Sequence, residues 1–445
     1  MYKKIIKKLE NKNIAILGFG LEGKSTYRFI RRYLSQRITI IDQNDITTNE
    51  LLKNDSQIDF VIGTDYLNHL DQYDLIIKSP GISLKDIDIS NIKDRITSQL
   101  ELVLEVMKQN IIGITGTKGK STTTSLIYEC FKANHKDAFI LGNIGKPLLD
   151  QIEQYHENTI LVIEMSSHQL EFVKTSPHTG IILNLFQDHL DHAGSVKHYH
   201  ECKLNMFRYM TEQDCAIYCE DNPNLNYYMT HNHYEAKKYS VSLQENSYVS
   251  LKNNQVICED KVLYDVNEKR NLVGNHNLEN IMVTLLVCKL YHLDLEKCRE
   301  VIQNFKPLEH RLELVGTYQD IIYYNDTIAT IPAATINGIE ALKKVNTLIF
   351  GGMDRHIDYE EFITYLKNCD VENLICMPTT GYHIGKLLEQ DKKVFYADTL
   401  EKAVEIAKKV TKKNMICLLS PAASSYEYFK NFEEKGNAYK DLVRK

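Results

Sequence analysis

Short apolar runs alternate with helix-like patterns along this chain, and the runs tend to close on glycine, serine, asparagine or a carboxylate. Asn13 to Leu17 predicts a buried strand, followed by strands at Arg37 to Asp42 and Asp74 to Lys78, with a helix over Gln99 to Met107. The same rhythm repeats with strands at 111–115, 137–141, 159–164 and 180–185. Shorter segments follow residue 214, then an amphipathic helix from Asn275 to about Tyr291. A last block predicts strands near 346–350, 372–376, 393–396 and 414–419. Strands alternating with helices imply parallel, doubly wound sheets. The expected fold is α/β with three domains: a Rossmann-like domain over 1–104, a central P-loop ATPase-type domain with a parallel or mixed sheet over 105–306, and a C-terminal Rossmann-like domain over 307–445. The Pro-bearing stretch from Asn304 to Arg311 marks the second linker.

Strand, glycine loop and helix occur in sequence at Ile112 to Phe131. Gly116-Thr117-Lys118-Gly119-Lys120-Ser121-Thr122 is a shortened phosphate loop, with Ile114 where the full pattern has its first glycine. Glycines let backbone N–H groups approach an anion, and the helix N-terminus adds positive potential. Lys120 is placed for the β/γ-phosphates and Ser121 for Mg²⁺. The loop therefore predicts a nucleoside triphosphate site, with a plain glycine turn as the alternative.

Gly18-Phe19-Gly20-Leu21-Glu22-Gly23 fits a dinucleotide fingerprint, with Asp42 about twenty residues on and Ser79-Pro80-Gly81 closing a neighbouring strand. A pyrophosphate-bearing ligand, including the nicotinamide cofactor of an oxidoreductase, fits this edge. So does a tight turn with no ligand. Glu164 ends an apolar strand beside the phosphate loop, a position suited to holding Mg²⁺ or to capping a helix. His189, in Asn184-Leu185-Phe186-Gln187-Asp188-His189, closes the next strand and is a candidate metal ligand or phosphate-orienting group. By residue type alone, Lys203, Arg311 and Asp326 are ordinary polar positions.

Composition narrows the function classes. The chain has 445 residues, is 43% hydrophobic and carries a net charge of −6, so no basic footprint argues for nucleic acid. No apolar run is long enough for a transmembrane helix, and the Lys-rich start lacks the apolar core of a signal peptide. Ten scattered cysteines read as reduced thiols of a cytoplasmic protein. Cys215 and Cys219 lack a second pair that would complete a zinc site.

Ten ordered blocks resemble the ATP-dependent Mur ligases of peptidoglycan synthesis along the whole chain. They are residues 18–25, 79–82, 113–123, 142–145, 164–171, 184–191, 274–280, 309–313, 325–330 and 419–432. The last block is similar to that of the D-glutamate-adding member. The resemblance implies an amide ligase, acting in cell-wall biogenesis, that joins glutamate to UDP-N-acetylmuramoyl-L-alanine through an acyl phosphate, with ATP and Mg²⁺. A monomer is expected, with no membrane insertion.

By the same resemblance, Gly18, Gly20, Leu21, Glu22, Gly23, Asp42, Ser79, Gly81 and Asn143 serve the UDP substrate. Gly116 to Thr122 hold ATP, Asn277 and Asn280 its adenine side, and Arg311 and Asp326 reach it from the third domain. Lys120, Glu164, His189 and Lys203 are catalytic; Ser121, Glu164, His189 and a carbamylated Lys203 serve the metal ions. Thr330, Arg355, Ser425 and Phe432 match the glutamate contacts. The chain departs from the pattern at Ile328, where the family block has a lysine. That loss of a cation leaves L-glutamate as an alternative acceptor. A nicotinamide oxidoreductase, a non-catalytic nucleotide-binding protein and a folylpolyglutamate synthase are the remaining alternatives.

Overall fold

In the computed structural model, the described residues are 2–142, 146–187, 194–306, 308–355, 357–425 and 428–445. They contain three sheets. The first unit carries the first two sheets together with Asn280–Val301; the second carries Asn267–Glu279, Ile302–Lys445 and the third sheet.

The first sheet holds β1 (Ile14–Leu17), β2 (Ile38–Asp42), β3 (Ile58–Ile62), β4 (Leu75–Lys78) and β5 (Ile96–Thr97) in the order β3-β2-β1-β4-β5. All pairings are parallel. Helices covering both faces require apolar side chains on both faces of a strand, and β1 is buried at every position. The chain reverses direction of growth between β1 and β4, which puts the loops after these strands at the edge where open α/β sheets bind ligands.

The second sheet runs β14-β13-β12-β11-β10-β9-β6-β8-β7. Its parallel core is β6 (Ile111–Thr115), β7 (Ala138–Gly142), β8 (Ile160–Glu164), β9 (Thr179–Ile182), β10 (Cys215–Cys219) and β11 (Lys237–Ser242). β12 (Val249–Lys252) continues it in parallel, and β13 (Gln255–Cys258) and β14 (Lys261–Asp265) add an antiparallel edge. β6 lies between β8 and β9, in register Ile114↔Glu164 and Thr115↔Ile182.

The second unit holds β15 (Glu313–Tyr318), β16 (Ile321–Asn325), β17 (Val345–Phe350), β18 (Asn373–Cys376), β19 (Lys393–Tyr396) and β20 (Ile416–Leu419), ordered β15-β16-β20-β17-β18-β19. Among these six strands as described, β15 and β16 pair antiparallel and the other pairings are parallel. The expected strands appear within two residues at most ends. The exception is 180–185: β9 stops at Ile182, because the backbone and side chain of Asn184 bond to the phosphate loop instead of extending a ladder. The segments after residue 214 supply five strands that apolar periodicity did not resolve.

Candidate active site

The phosphate loop leaves β6 and enters the helix Lys120–Ala133. Gly116 (φ 149°) and Gly119 (φ 87°) take backbone conformations that side chains disfavour. A Cβ on Gly119 would lie 2.7 Å from Asn280 Oδ1 and 3.0 Å from Leu183 Cδ1, so the loop is pressed between two neighbours. The segment after β9 straps it in place. Thr117 N–H donates to Asn184 O (3.0 Å), Lys118 N–H to Asn184 Oδ1 (2.8 Å), and Asn184 Nδ2 back to Lys118 O (3.1 Å). Phe186 N–H donates to Thr117 Oγ1 (2.9 Å), and Thr123 Oγ1 donates to Asn280 Oδ1 (3.1 Å). A cradle bonded on both flanks is preorganised for an anion.

Lys120 Nζ donates to Gly116 O (2.9 Å) and Thr117 O (3.0 Å), folded back over its own loop. Lys203 comes from the helix Val196–Arg208, whose N-cap Ser195 accepts from His198 N–H. It is 1% exposed, donates to Gly116 O (3.0 Å) and lies 4.7 Å from the Tyr199 ring centroid. The fold therefore buries Lys203, an ordinary polar position by residue type, at the phosphate loop. Ser121 and Thr122 are buried in the first helical turn, and Glu164 is buried at the end of β8, the strand beside the loop. A carboxylate and a hydroxyl of this kind are hard oxygen donors, which fits Mg²⁺. His200, one helical turn before the Lys203 level, has its basicity lowered by burial.

Past Glu164 the chain crosses to the first sheet. Ser166 and Gln169 form a reciprocal capping box, and Gln169 Nε2 donates onward to Glu22 Oε1 (2.8 Å). Burial pushes the Glu22 carboxyl up from its ordinary range, with the Gln169 bond opposing it. Lys78, at the end of β4, pairs with Glu171 at 3.5 Å, both side chains largely buried. Residues 164–171 thus link the phosphate loop to the glycine edge of the first sheet. At that edge Ser79 Oγ donates to Gly18 O (2.8 Å), and a Cβ on Gly23 would sit 2.0 Å from Gly18 O. Asp42 Oδ2 accepts Phe19 N–H (2.7 Å), so this carboxylate holds the glycine turn itself. Leu21 is exposed at the helix start, and Gly20 and Gly81 have open space where a Cβ would stand.

In the second unit Asp326 follows β16 and accepts from Ser420 Oγ (2.8 Å) and Leu312 N–H (3.2 Å). His310 (φ 65°) and Leu312 (φ 44°) bracket Arg311 in left-handed conformations. Glu313 Oε2 holds that turn by accepting His310 N–H (2.9 Å) and Asn325 Nδ2 (3.0 Å). Strain retained in a tightly bonded turn is characteristic of functional positions. Met353 N–H donates to Ser424 O (2.9 Å), bringing Ser424 and Ser425 beside the loop that carries Arg355. The Oγ atoms of Ser424, Ser425 and Thr327 are buried with no hydrogen-bond partner among the described residues. Phe432 opens the helix Phe432–Arg444, 6.0 Å from the His310 ring. Thr330 lies on the segment between β16 and the helix Pro332–Leu342. Asn277 and Asn280 share the helix Asn275–Leu290, Asn277 Nδ2 donating to Val273 O (2.8 Å). Asn143 and His189 lie outside the described residues.

Three family patterns match in chain order: the Mur ligase MurD-like N-terminal domain over 12–99, the Mur ligase middle domain over 114–288 and the Mur ligase glutamate ligase domain over 310–423. The chain is 31% identical over 447 residues to the UDP-N-acetylmuramoylalanine–D-glutamate ligase of Clostridioides difficile (strain 630), covering 98% of this chain and 99% of that one. The chain belongs to the Mur ligase family. The Clostridium tetani enzyme of the same name is 30% identical, with 98% and 97% covered. Among solved structures, MurF ligase from Thermotoga maritima in complex with ADP has a TM-score of 0.62 at 16% identity, covering 97% of this chain and 94% of that one. MurC from the same organism has a TM-score of 0.58 at 17% identity, with 98% and 99% covered. Both share the Mur ligase fold.

Sequence reasoning missed Asn184, Gln169, Lys78 and Glu171. Asn184 and Gln169 stand inside two of the ten blocks, and that membership was their only signal. Glu171 also stands inside a block, but nothing in the residue pattern marks its pairing with Lys78, which exists only once two sheets pack.

Proposed function

We propose that this Mur ligase uses ATP to join D-glutamate to UDP-N-acetylmuramoyl-L-alanine, forming an amide, ADP and phosphate. The whole-length relationship to D-glutamate ligases at 31% identity carries the reading. The phosphate loop with Lys120, Lys203 and Glu164 gathered around it supports it. The alanyl carboxylate attacks the γ-phosphorus of ATP in line, and ADP leaves. Lys120 neutralises the transferring oxygens, and the loop N–H groups hold the phosphates. The glutamate amine then attacks the acyl phosphate, loses a proton, and expels phosphate.

Ser121 and Glu164 would hold Mg²⁺, with His189 contributing, and the ion would neutralise phosphate charge. Lys203 carbamylated at Nζ would become an anion supporting a second ion. The glycine edge at Gly18–Gly23, with Ser79 and Asn143, would take the UDP portion. Arg355, Thr330, Ser425 and Phe432 would take glutamate, a guanidinium being suited to bidentate carboxylate binding. The buried, partnerless hydroxyls of Thr327, Ser424 and Ser425 support a polar acceptor near them. Asn277, Asn280, Arg311 and Asp326 would serve ATP by the family match alone. Division of the chain near residues 104 and 306, a monomeric state and a cytoplasmic location belong to the same reading.

Ile328 favours a second reading, ligation of L-glutamate, because it removes a cation from the acceptor block. Phosphate release measured with UDP-N-acetylmuramoyl-L-alanine, ATP and each glutamate enantiomer separately decides between them. Release with D-glutamate alone is expected. Release only with L-glutamate selects the second reading, and release with neither refutes both.

A further inference from the structure

Cys130, Cys288 and Cys298 place their three sulfur atoms within 4.8 Å of one another, all three fully buried. They arrive on three helices: Lys120–Ala133, Asn275–Leu290 and Leu295–Asn304. Three thiols from separate elements, meeting at one point, have the spacing of ligands around one soft ion, since metal–sulfur bonds of about 2.3 Å put sulfurs roughly 4 Å apart.

The surroundings suit charge at this point. Cys130 and Cys288 lie in the last turns of their helices, where the peptide dipoles favour a cation. Cys298 lies in the first turn of its helix, its N–H bonded to Asp294 O, where the dipole favours an anionic sulfur. Asn134 Nδ2 donates to Cys298 Sγ (3.6 Å) and to Cys130 O (2.9 Å), while its Oδ1 accepts Asp294 N–H (2.8 Å). One side chain therefore ties two of the three cysteine-bearing elements together and supplies an outer N–H···S bond of the kind that orients metal ligands.

We propose that Cys130, Cys288 and Cys298 form a binding site for one thiophilic divalent ion of the zinc class, separate from the nucleotide site. Binding forms three metal–sulfur bonds and breaks three S–H bonds, the three protons passing to buffer. Nothing is oxidised or reduced. The site has a structural consequence. The helix that starts at the phosphate loop carries Cys130 in its last turn, and Thr123 near its start already bonds Asn280 of the second helix. An ion at the sulfurs fastens the far ends of the same two helices and stiffens the support of the loop.

The test is titration of the full-length protein, purified with reductant and freed of metal, with cadmium(II) as the probe. One equivalent per chain is expected to raise sulfur-to-cadmium charge-transfer absorption in the ultraviolet and to raise the melting temperature. Zinc(II) added to the metal-free protein should release protons into weak buffer, and zinc(II) in excess should lower the cadmium absorption. Cys298→Ser and Cys130→Ala should each weaken binding by about tenfold or more, while Cys376→Ala, in the second unit, should not. Circular dichroism checks that each variant is folded, and Asn134→Ala, which keeps all three sulfurs, is a milder variant expected to shift the absorption. No absorption in the folded parent protein, or absorption unchanged by both cluster substitutions, overturns the proposal.

Discussion

Lys120 and Lys203 meet on one oxygen, the carbonyl of Gly116, at 2.9 and 3.0 Å. Their ammonium groups are at most 5.9 Å apart. At an effective dielectric constant of about 20, two like charges at that distance repel by about 3 kcal/mol. The proposed carbamylation of Lys203 would turn this repulsion into attraction. It consumes carbon dioxide and a neutral amine and releases one proton. Lys203→Ala is therefore expected to lower phosphate release by about 100-fold or more, with partial recovery on adding a short carboxylate such as acetate. Lys203→Arg should not recover, because a guanidinium restores the repulsion. Full activity of the Arg variant would refute the carbamate.

Gly119 is required by both its φ of 87° and the 2.7 Å approach of Asn280 Oδ1 to its missing Cβ. Gly119→Ala is expected to cost about 1–3 kcal/mol in denaturant unfolding and to weaken ATP binding. Adding Asn280→Ala removes the clash but not the backbone strain. The double variant should regain part of the stability, and additive losses would show that contact is not the cause.

The sequence made the sheet centres legible, because strands covered on both faces must be largely apolar, as β1 is throughout and β6 and β8 are up to their last residues, Thr115 and Glu164. The phosphate loop was legible for a related reason: glycine spacing records where backbone must meet an anion. Lys203 was not, since burial of a lysine in an amphipathic helix depends on which face packs, and its helix gives no periodic sign of it. Asp42 was legible as a strand-end carboxylate, yet its bond to Phe19 N–H is a tertiary fact. The strands from Cys215 to Asp265 are short and mix buried with partly or fully exposed positions, so alternation was too weak to separate them from loops.

Lys78 and Glu171 join the first two sheets through an ion pair at 3.5 Å. Burial lowers the Lys78 pKa, with Glu171 opposing that shift. Glu171→Gln leaves the ammonium buried beside a neutral amide, which is expected to cost about 3 kcal/mol. Lys78→Met in the same chain should restore most of it by removing the stranded charge. Chemical denaturation of the two single variants and the double variant measures the coupling; a double variant as unstable as the sum of the singles would deny it.

Lys435 is 2% exposed, and its ammonium donates to Gly351 O at 3.1 Å. Burial lowers its pKa from 10.5 to about 8. The folded protein therefore holds fewer protons than the unfolded chain between about pH 8 and 10.5. Stability from this group rises with pH across that window, by about 3 kcal/mol in total. Below pH 8 the group is charged in both states, and the full burial penalty applies. Lys435→Met should then be more stable than the parent at pH 7, and the difference should shrink as pH rises from 8 and vanish above 10.5. Urea unfolding of both proteins at a series of pH values gives that difference directly, with the other alkaline titrations common to both. A Met variant less stable at pH 7 would mean that the bond to Gly351 O outweighs the burial of the charge.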